Sequence, residues 1–245
     1  MAWTDRYVDA SASGGGTGTS PADPWTLGEA ISNGTGGMRI NIKAGSYSLT
    51  GTNTVAPTTS HSSPCYWRGY KTTLGDLDGV LDSSPTDGTD IPFITSSYRL
   101  SFSSAFMKLS GLSFSQSSTN SYVVAFYGAM YTIKNTRFRN PNSAITEVLI
   151  DAPGRDHHVY TNCEFSMGGT TSVNFVDADI GQTFDSCVFS SDIQQTASQG
   201  TAIYNGRSLV FHKCLFKNLG VGIEANTAAA ANTNFSVIQC TFDQI

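Results

Sequence analysis

Apolar positions in the second half of the chain return in a six-residue phrase, with an apolar or aromatic residue first and Phe sixth. It reads LSGLSF at Leu109–Phe114, IKNTRF at Ile133–Phe138, YTNCEF at Tyr160–Phe165, FDSCVF at Phe184–Phe189, FHKCLF at Phe211–Phe216 and VIQCTF at Val237–Phe242. Phe-to-Phe spacings are 24, 27, 24, 27 and 26 residues. Four consecutive copies carry Cys at the fourth place: Cys163, Cys187, Cys214 and Cys240. A period of roughly 20–50 residues marks a solenoid, because each unit must stack on its neighbours to bury its apolar face.

The residues between the phrases decide which solenoid. Helical repeats need apolar residues at i, i+3, i+4 and i+7. Here the runs are short, such as YVVAF, AITEVLI and SVNFV. They are rich in β-branched and aromatic residues and broken by Asn, Gly, Ser and Thr. A leucine-rich repeat would show Leu-x-x-Leu-x-Leu, and that pattern is absent. A coil of about 25 residues holds three short strands and three turns, and such coils stack at about 4.8 Å into a parallel β-helix. The fold class expected is therefore all-β, a parallel β-helix solenoid.

Three stretches are expected along one continuous solenoid domain. Residues 1–47 form an N-terminal cap and first strand, 48–105 irregular early coils with long loops, and 106–245 the regular coils. In the first stretch a Gly/Ser/Thr loop leads to Asp23-Pro24, read as N-cap and first position of a short helix carrying Trp25, Leu27, Ala30 and Ile31. Its apolar face would cover the open end of the core ahead of the first strand, MRINIKAGSY.

Composition narrows the chemistry. Charged residues make up 13% of the chain, about half the usual share. Like charges stacked at the inter-strand spacing repel, which favours Ser, Thr and Asn on such a surface. A net charge of −5 gives no basic footprint for nucleic acid, and no apolar stretch is long enough for membrane insertion. The opening MAWTDRYVDASASGG lacks the basic and apolar regions of a secretion signal. The Cys column reads as small buried thiols, since in-register neighbours are poorly aimed for a disulfide. No His shares that column, so no metal and no cofactor is expected.

With its opening YVDASASGGGTGTSPADPWTLGEAI, the following INIKAGSY and the coil phrases, the chain resembles the right-handed parallel β-helix superfamily of pectate lyases, polygalacturonases and bacteriophage tailspikes. The resemblance spans nearly the whole sequence and implies a right-handed solenoid with a short N-terminal capping helix. It also implies what an enzyme would need. Lyase chemistry of that kind uses an Arg or Lys base and calcium held by several Asp. The nearest string here is Arg137, Arg139 and Pro141 in RFRNPN, without the acidic ligands. The hydrolase kind uses clustered Asp with Gly-His and Arg-x-Lys phrases, and only Asp177 and Asp179 of DAD are present. Asp156-His157-His158 is a further short acid/base candidate, and a solvent-exposed turn is the plainer reading of it.

Aligning coils on the phrase places Tyr127, Asp151, Asp177 and Tyr204 at nearly one point, just after apolar strands. Two carboxylates one coil apart approach the roughly 5–5.5 Å separation of a retaining glycosidase. They could equally share a cation, and flanking Tyr rings suit sugar faces. The same residue types also simply end strands at turns. These four are the glycan-binding candidates, and no catalytic residue is assigned. The expected function is a structural virion protein of a bacteriophage, as a tailspike, fibre or capsid-decorating component, contacting polysaccharide. The alternatives are a polysaccharide lyase or glycoside hydrolase, and a bacterial adhesin at the cell surface. The expected partners are further copies of the chain, with a trimer favoured, or other virion proteins, since nothing comparable to the N-terminal helix follows VIQCTFDQI and either more chain in the natural protein or a partner would cover the open coil.

Overall fold

The computed structural model describes residues 2–79, 85–116, 122–141, 150–168, 175–192, 203–204, 208–220, 223 and 234–243; for 151–156, 177–180 and 203–204 it describes the backbone alone. Three parallel sheets carry the chain, with nine, eight and six strands among the described residues. Each coil visits the nine-stranded sheet, then the eight-stranded, then the six-stranded. One coil is Thr132–Lys134, Arg137–Asn140 and Ile150–Asp156, and the next is Val159–Thr161, Glu164–Met167 and Val176–Ile180. Coil therefore stacks on coil, as the repeat predicts.

The phrase spans the corner between the first two of these sheets. Its first residue lies in the nine-stranded sheet, where Ile133 pairs with Tyr160, Tyr160 with Phe184, Phe184 with Phe211 and Phe211 with Val237. Its sixth lies in the eight-stranded sheet, where Phe114, Phe138, Phe165, Phe189, Phe216 and Phe242 pair in succession. The rings of this column stack nearly parallel, with centroids 4.6 Å apart for Phe165–Phe189 and 5.6 Å for Phe114–Phe138. Tyr160 and Phe184 stack likewise at 4.8 Å. The two columns meet edge to face, as Phe184 and Phe189 do at 5.5 Å, which is a favoured aromatic geometry.

Between them the chain turns on a single residue. The third place of every phrase has positive φ: Gly111 63°, Asn135 48°, Asn162 53°, Ser186 56°, Lys213 53° and Gln239 54°. Asn tolerates this left-handed backbone best after Gly, and the Asn162 side-chain amide donates to Asn135 Oδ1 across the coils at 2.8 Å. After the corner the fourth residue turns inward. Cys163, Cys187 and Cys214 are buried and free, while Cys240, on the last described coil, is half-buried. Each inner thiol donates to a carbonyl of the preceding coil, Cys187 to Tyr160 at 3.6 Å and Cys214 to Phe184 at 3.4 Å. Burial pushes the Cys187 thiol well up, and the Cys187 thiol together with burial raises Cys214. These groups are protonated filler, not nucleophiles.

The N-terminal end departs from expectation in two details. The first strand is Thr4–Val8, which pairs with Met38–Lys43; MRINIKAGSY divides at Ala44-Gly45 into that strand and Ser46–Leu49. The helix is Leu27–Asn33, capped by Thr26 rather than Asp23. Glu29 lies three residues after Thr26, so its N–H donates to Thr26 Oγ1 at 3.2 Å and its carboxylate accepts the Thr26 N–H at 2.7 Å, a capping box. Asp23 is taken by Thr17, whose N–H donates to it at 3.0 Å. Trp25 continues the strand layer through its N–H to the Tyr7 carbonyl at 2.8 Å. A Cβ at Gly18 would lie 2.6 Å from the Trp25 ring, which is why the loop needs glycine there. Trp25, Leu27 and Ala30 all join the core, so the helix does cover that end.

One histidine lies inside the core. His158 is fully buried against Tyr131, whose backbone N–H donates to its Nδ1 at 3.3 Å. Its Nε2 has no hydrogen-bond partner among the described residues. Burial, with His157 adding to it, lowers its pKa from 6.5 to about 3.

The aromatic column is the main store of stability. Phe189→Ala should cost about 3–5 kcal/mol by leaving a cavity, measured by urea unfolding. Phe242→Ala should cost clearly less, because that ring is half exposed. An aqueous thiol reagent should leave Cys163, Cys187 and Cys214 unmodified in the folded chain. The buried His158 adds an acid sensitivity. An unfolded histidine takes up a proton near pH 6.5, and the folded one only near pH 3. Its stabilisation is complete above 6.5 and falls as pH drops through that window, by up to about 1.4 kcal/mol per unit. Subtracting the same titration of His158→Leu removes the carboxylates common to both proteins and should isolate this slope.

Candidate functional site

The six-stranded sheet brings two carboxylate-bearing residues into direct register. Asp151 pairs with Asp177, and Asp177 with Tyr204, on three successive coils. Asp151 follows the buried core residue Ile150, and Asp177 follows the buried Val176. These core positions continue through Val124 and Leu100, so a packed apolar column fixes the register from inside. Backbones one ladder step apart lie at about 4.8 Å. The described backbone therefore sets Asp151 and Asp177 one ladder step apart.

Tyr127 stands apart from this register. Ala125 is the residue opposite Asp151, and Ser101 the one opposite Ala125. The strand of that coil ends at Phe126, so Tyr127 lies just beyond it, two residues past the aligned position. Its hydroxyl accepts from Arg99 Nη1 at 2.6 Å, and the guanidinium carbon lies 5.2 Å from the ring centroid. Alignment on the phrase missed this offset because the stretch between the eight- and six-stranded sheets changes length from coil to coil.

A feature that alignment did not reveal adjoins the Asp pair. Ala152 pairs with Ala178, but the next pair is Asp156 with Ile180, so the strand bulges across Pro153, Gly154 and Arg155. Pro removes a ladder donor and Gly relaxes the backbone, and Pro153-Gly154 was the sequence signal for it. Bulges of this kind re-aim side chains and are frequent beside functional sites.

The other candidates are spent on structure. Arg137 and Arg139 lie in the eight-stranded sheet, away from the Asp register. Arg137 binds Glu164 at 2.8 Å and Asp87 at 3.1 Å, and Arg139 binds the other Asp87 oxygen at 2.9 Å. The RFRN strand thus fastens the excursion that carries Asp87, and neither guanidinium stands ready as a base. In Asp156-His157-His158 the two imidazoles part: His157 has φ 66° at an exposed turn, and His158 is sealed in the core. A pair the sequence reading passed over joins Asp185 Oδ1 and His212 Nδ1 at 2.9 Å across adjacent coils. Ser186 Oγ donates to the same carboxylate at 3.2 Å. Its hydroxyl therefore meets an acid already held by the imidazole, and the imidazole does not activate it. Among the described residues, no three His, Cys, Asp or Glu side chains converge as a metal site.

No protein-family model matches the chain, and no curated protein matches it in sequence. Solved structures do match in fold. The pectate lyase Pel9A superposes with a TM-score of 0.62 at 14% identity, over 97% of this chain and 61% of its own. The pectin methylesterase of Aspergillus niger superposes with a TM-score of 0.54 at 12% identity, over 99% of this chain and 87% of its own. This chain thus spans about 61% of the length of that pectate lyase. With its three parallel sheets and one-coil repeat, the chain has the right-handed parallel β-helix fold of the pectate-lyase-like kind.

Proposed function

We propose that the chain contacts polysaccharide along its six-stranded sheet, through Asp151, Asp177 and Tyr204. The observation that carries this reading is their direct pairing on three successive coils, with the bulge at 153–155 beside them. A linear polymer repeats along its length as the coils do, so a column of like positions suits it. Carboxylates bind sugar hydroxyls or a bridging cation, and a Tyr ring suits a sugar face. The fold likeness to a pectate lyase and a pectin methylesterase supports the substrate class.

A catalytic reading, as a polysaccharide lyase or glycoside hydrolase, is favoured by one observation, the bulge next to the paired Asp residues. The non-catalytic reading stands first, because Arg137 and Arg139 are held by carboxylates. A virion setting, with further copies or other virion proteins as partners, is a finer proposal. Its support is the five free thiols, which suit a reducing compartment.

Affinity electrophoresis through gels containing uronate-rich or bacterial surface polysaccharides tests the proposal. At least one should retard the protein, and Asp151→Asn and Asp177→Asn should each weaken binding about tenfold, near 1.4 kcal/mol. Unchanged retardation in both variants would remove this sheet as the site. Assays for unsaturated products and new reducing ends should stay at background. Cleavage abolished by either substitution would instead make the pair catalytic.

A further inference from the structure

A second sheet carries an unassigned cleft. It lies against the outer face of the nine-stranded sheet, has a volume of about 510 Å³, and is lined by Trp3, His61, Phe106, Lys108 and Met130 among others. That volume falls within the range of about 300–1,000 Å³ typical of small-ligand sites. Trp3 inclines at 58° to Tyr66 with ring centroids 5.8 Å apart, and His61 meets Phe106 edge-on at 5.9 Å. The cleft thus has aromatic walls supplied by the N-terminal segment, by the turn before Cys65 and by the third coil.

Two observations set it apart from ordinary surface. The first is electrostatic. In the outward column to which Lys108 belongs, Arg39 is neutralised by Asp5, with bonds of 2.6 and 2.8 Å. Lys43, four residues along the same strand from Arg39, is held by Asp9 at 3.0 Å. Lys108 has no ion pair among the described residues; its ammonium lies 5.7 Å from the Trp3 ring centroid. The cleft therefore keeps one cation beside an aromatic face.

The second is conformational. The residue two places before Lys108 or its equivalent is left-handed on successive coils: Phe106 at φ 56°, Met130 at 60°, His157 at 66°, Gly181 at 69° and Ser208 at 52°. His, Gly and Ser serve that turn in the later coils. At the cleft it is made by Phe and Met, for which the conformation is costly, and Met130 is left 48% exposed. Folding does not call for large apolar side chains there, whereas a ligand face does.

We infer that this cleft binds an acidic sugar, a uronic-acid unit whose carboxylate pairs with Lys108 and whose C–H face packs on Trp3 and Phe106. A carboxylate–ammonium contact is charge-assisted and strong for its size, and an aromatic plane beside it suits a ring with one apolar face. The choice of a sugar among carboxylated ligands rests on the polysaccharide reading above. The cleft adds a point of attachment on a different sheet from the Asp register.

The chain supplies its own reporter. Of its three Trp, Trp25 and Trp67 are buried, so added ligand reaches only Trp3 directly. Trigalacturonate should be titrated into the Asp151→Asn/Asp177→Asn double variant, which disables the other site, and followed by Trp emission and calorimetry. Saturable binding is expected. It should weaken at least tenfold for the methyl ester of the same trisaccharide, and at least tenfold on adding Lys108→Met or Trp3→Ala. Lys108→Met changes an exposed position, so it keeps the test valid if Trp3→Ala fails to fold. Equal binding of the ester, or affinities within twofold in the Lys108→Met variant, would overturn the assignment. Binding by the wild type that vanishes in the double variant would refute the cleft and leave the polysaccharide reading intact. Absence of binding to the trisaccharide and to every polysaccharide of the electrophoresis panel would refute both.

Discussion

Face-to-face stacking of Phe138, Phe165, Phe189 and Phe216 is the contact on which the other features depend. Parallel strands lie about 4.8 Å apart, and these rings repeat at 4.6–5.4 Å, so each ring covers its neighbour while the backbone ladder closes beside it. Slipping the chain by one residue would drive the rings to the outer face, since side chains alternate along a strand. The column therefore fixes the register of the eight-stranded sheet. Because one residue separates each Phe from the Thr or Cys at the fourth place, and the corner residue precedes that place, it fixes the corner as well.

That corner explains why the outer surface is free to vary. One left-handed residue turns the chain, one thiol or small side chain fills the space inside it, and the apolar first and sixth positions close the core. The third position accepts Gly, Asn, Ser, Lys or Gln, since the demand common to every coil is the left-handed backbone. Outward positions pair where two coils happen to match, as in the salt bridge of Asp5 with Arg39 and the hydrogen bond of Asp185 with His212. Exposed pairs of this kind add little to stability. Outer positions can thus vary from sheet to sheet without disturbing the core.

The two surface features draw on different resources of the solenoid. The Asp151–Asp177–Tyr204 register uses the repeat itself, which delivers equivalent positions one ladder step apart on a sheet whose inner face is locked by Ile150, Val176 and Val124. The Trp3–Lys108 cleft uses a break in the repeat, where the N-terminal segment and the turn before Cys65 close against the third coil. Extended polymers suit the first arrangement, and a single anchored unit suits the second.

The sequence by itself determined the repeat, the strand type, the inward stacking of Phe and Cys, and the pairing of Asp151 with Asp177. All of these follow from spacing and apolar phase, which are properties of the linear chain. Tertiary structure alone decided what depends on loop length and on distant partners. Tyr127 lost its place to Ala125 because loops between coils differ in length, and a residue count cannot tell where a strand stops. Thr26 replaced Asp23 as the cap because Glu29 lay within reach of one and Thr17 engaged the other. Arg137 and Arg139 became a clamp because an excursion some fifty residues earlier returned Asp87 to them. His158 turned inward and His157 outward because a left-handed turn falls between two adjacent residues of one type, a backbone choice that composition does not encode.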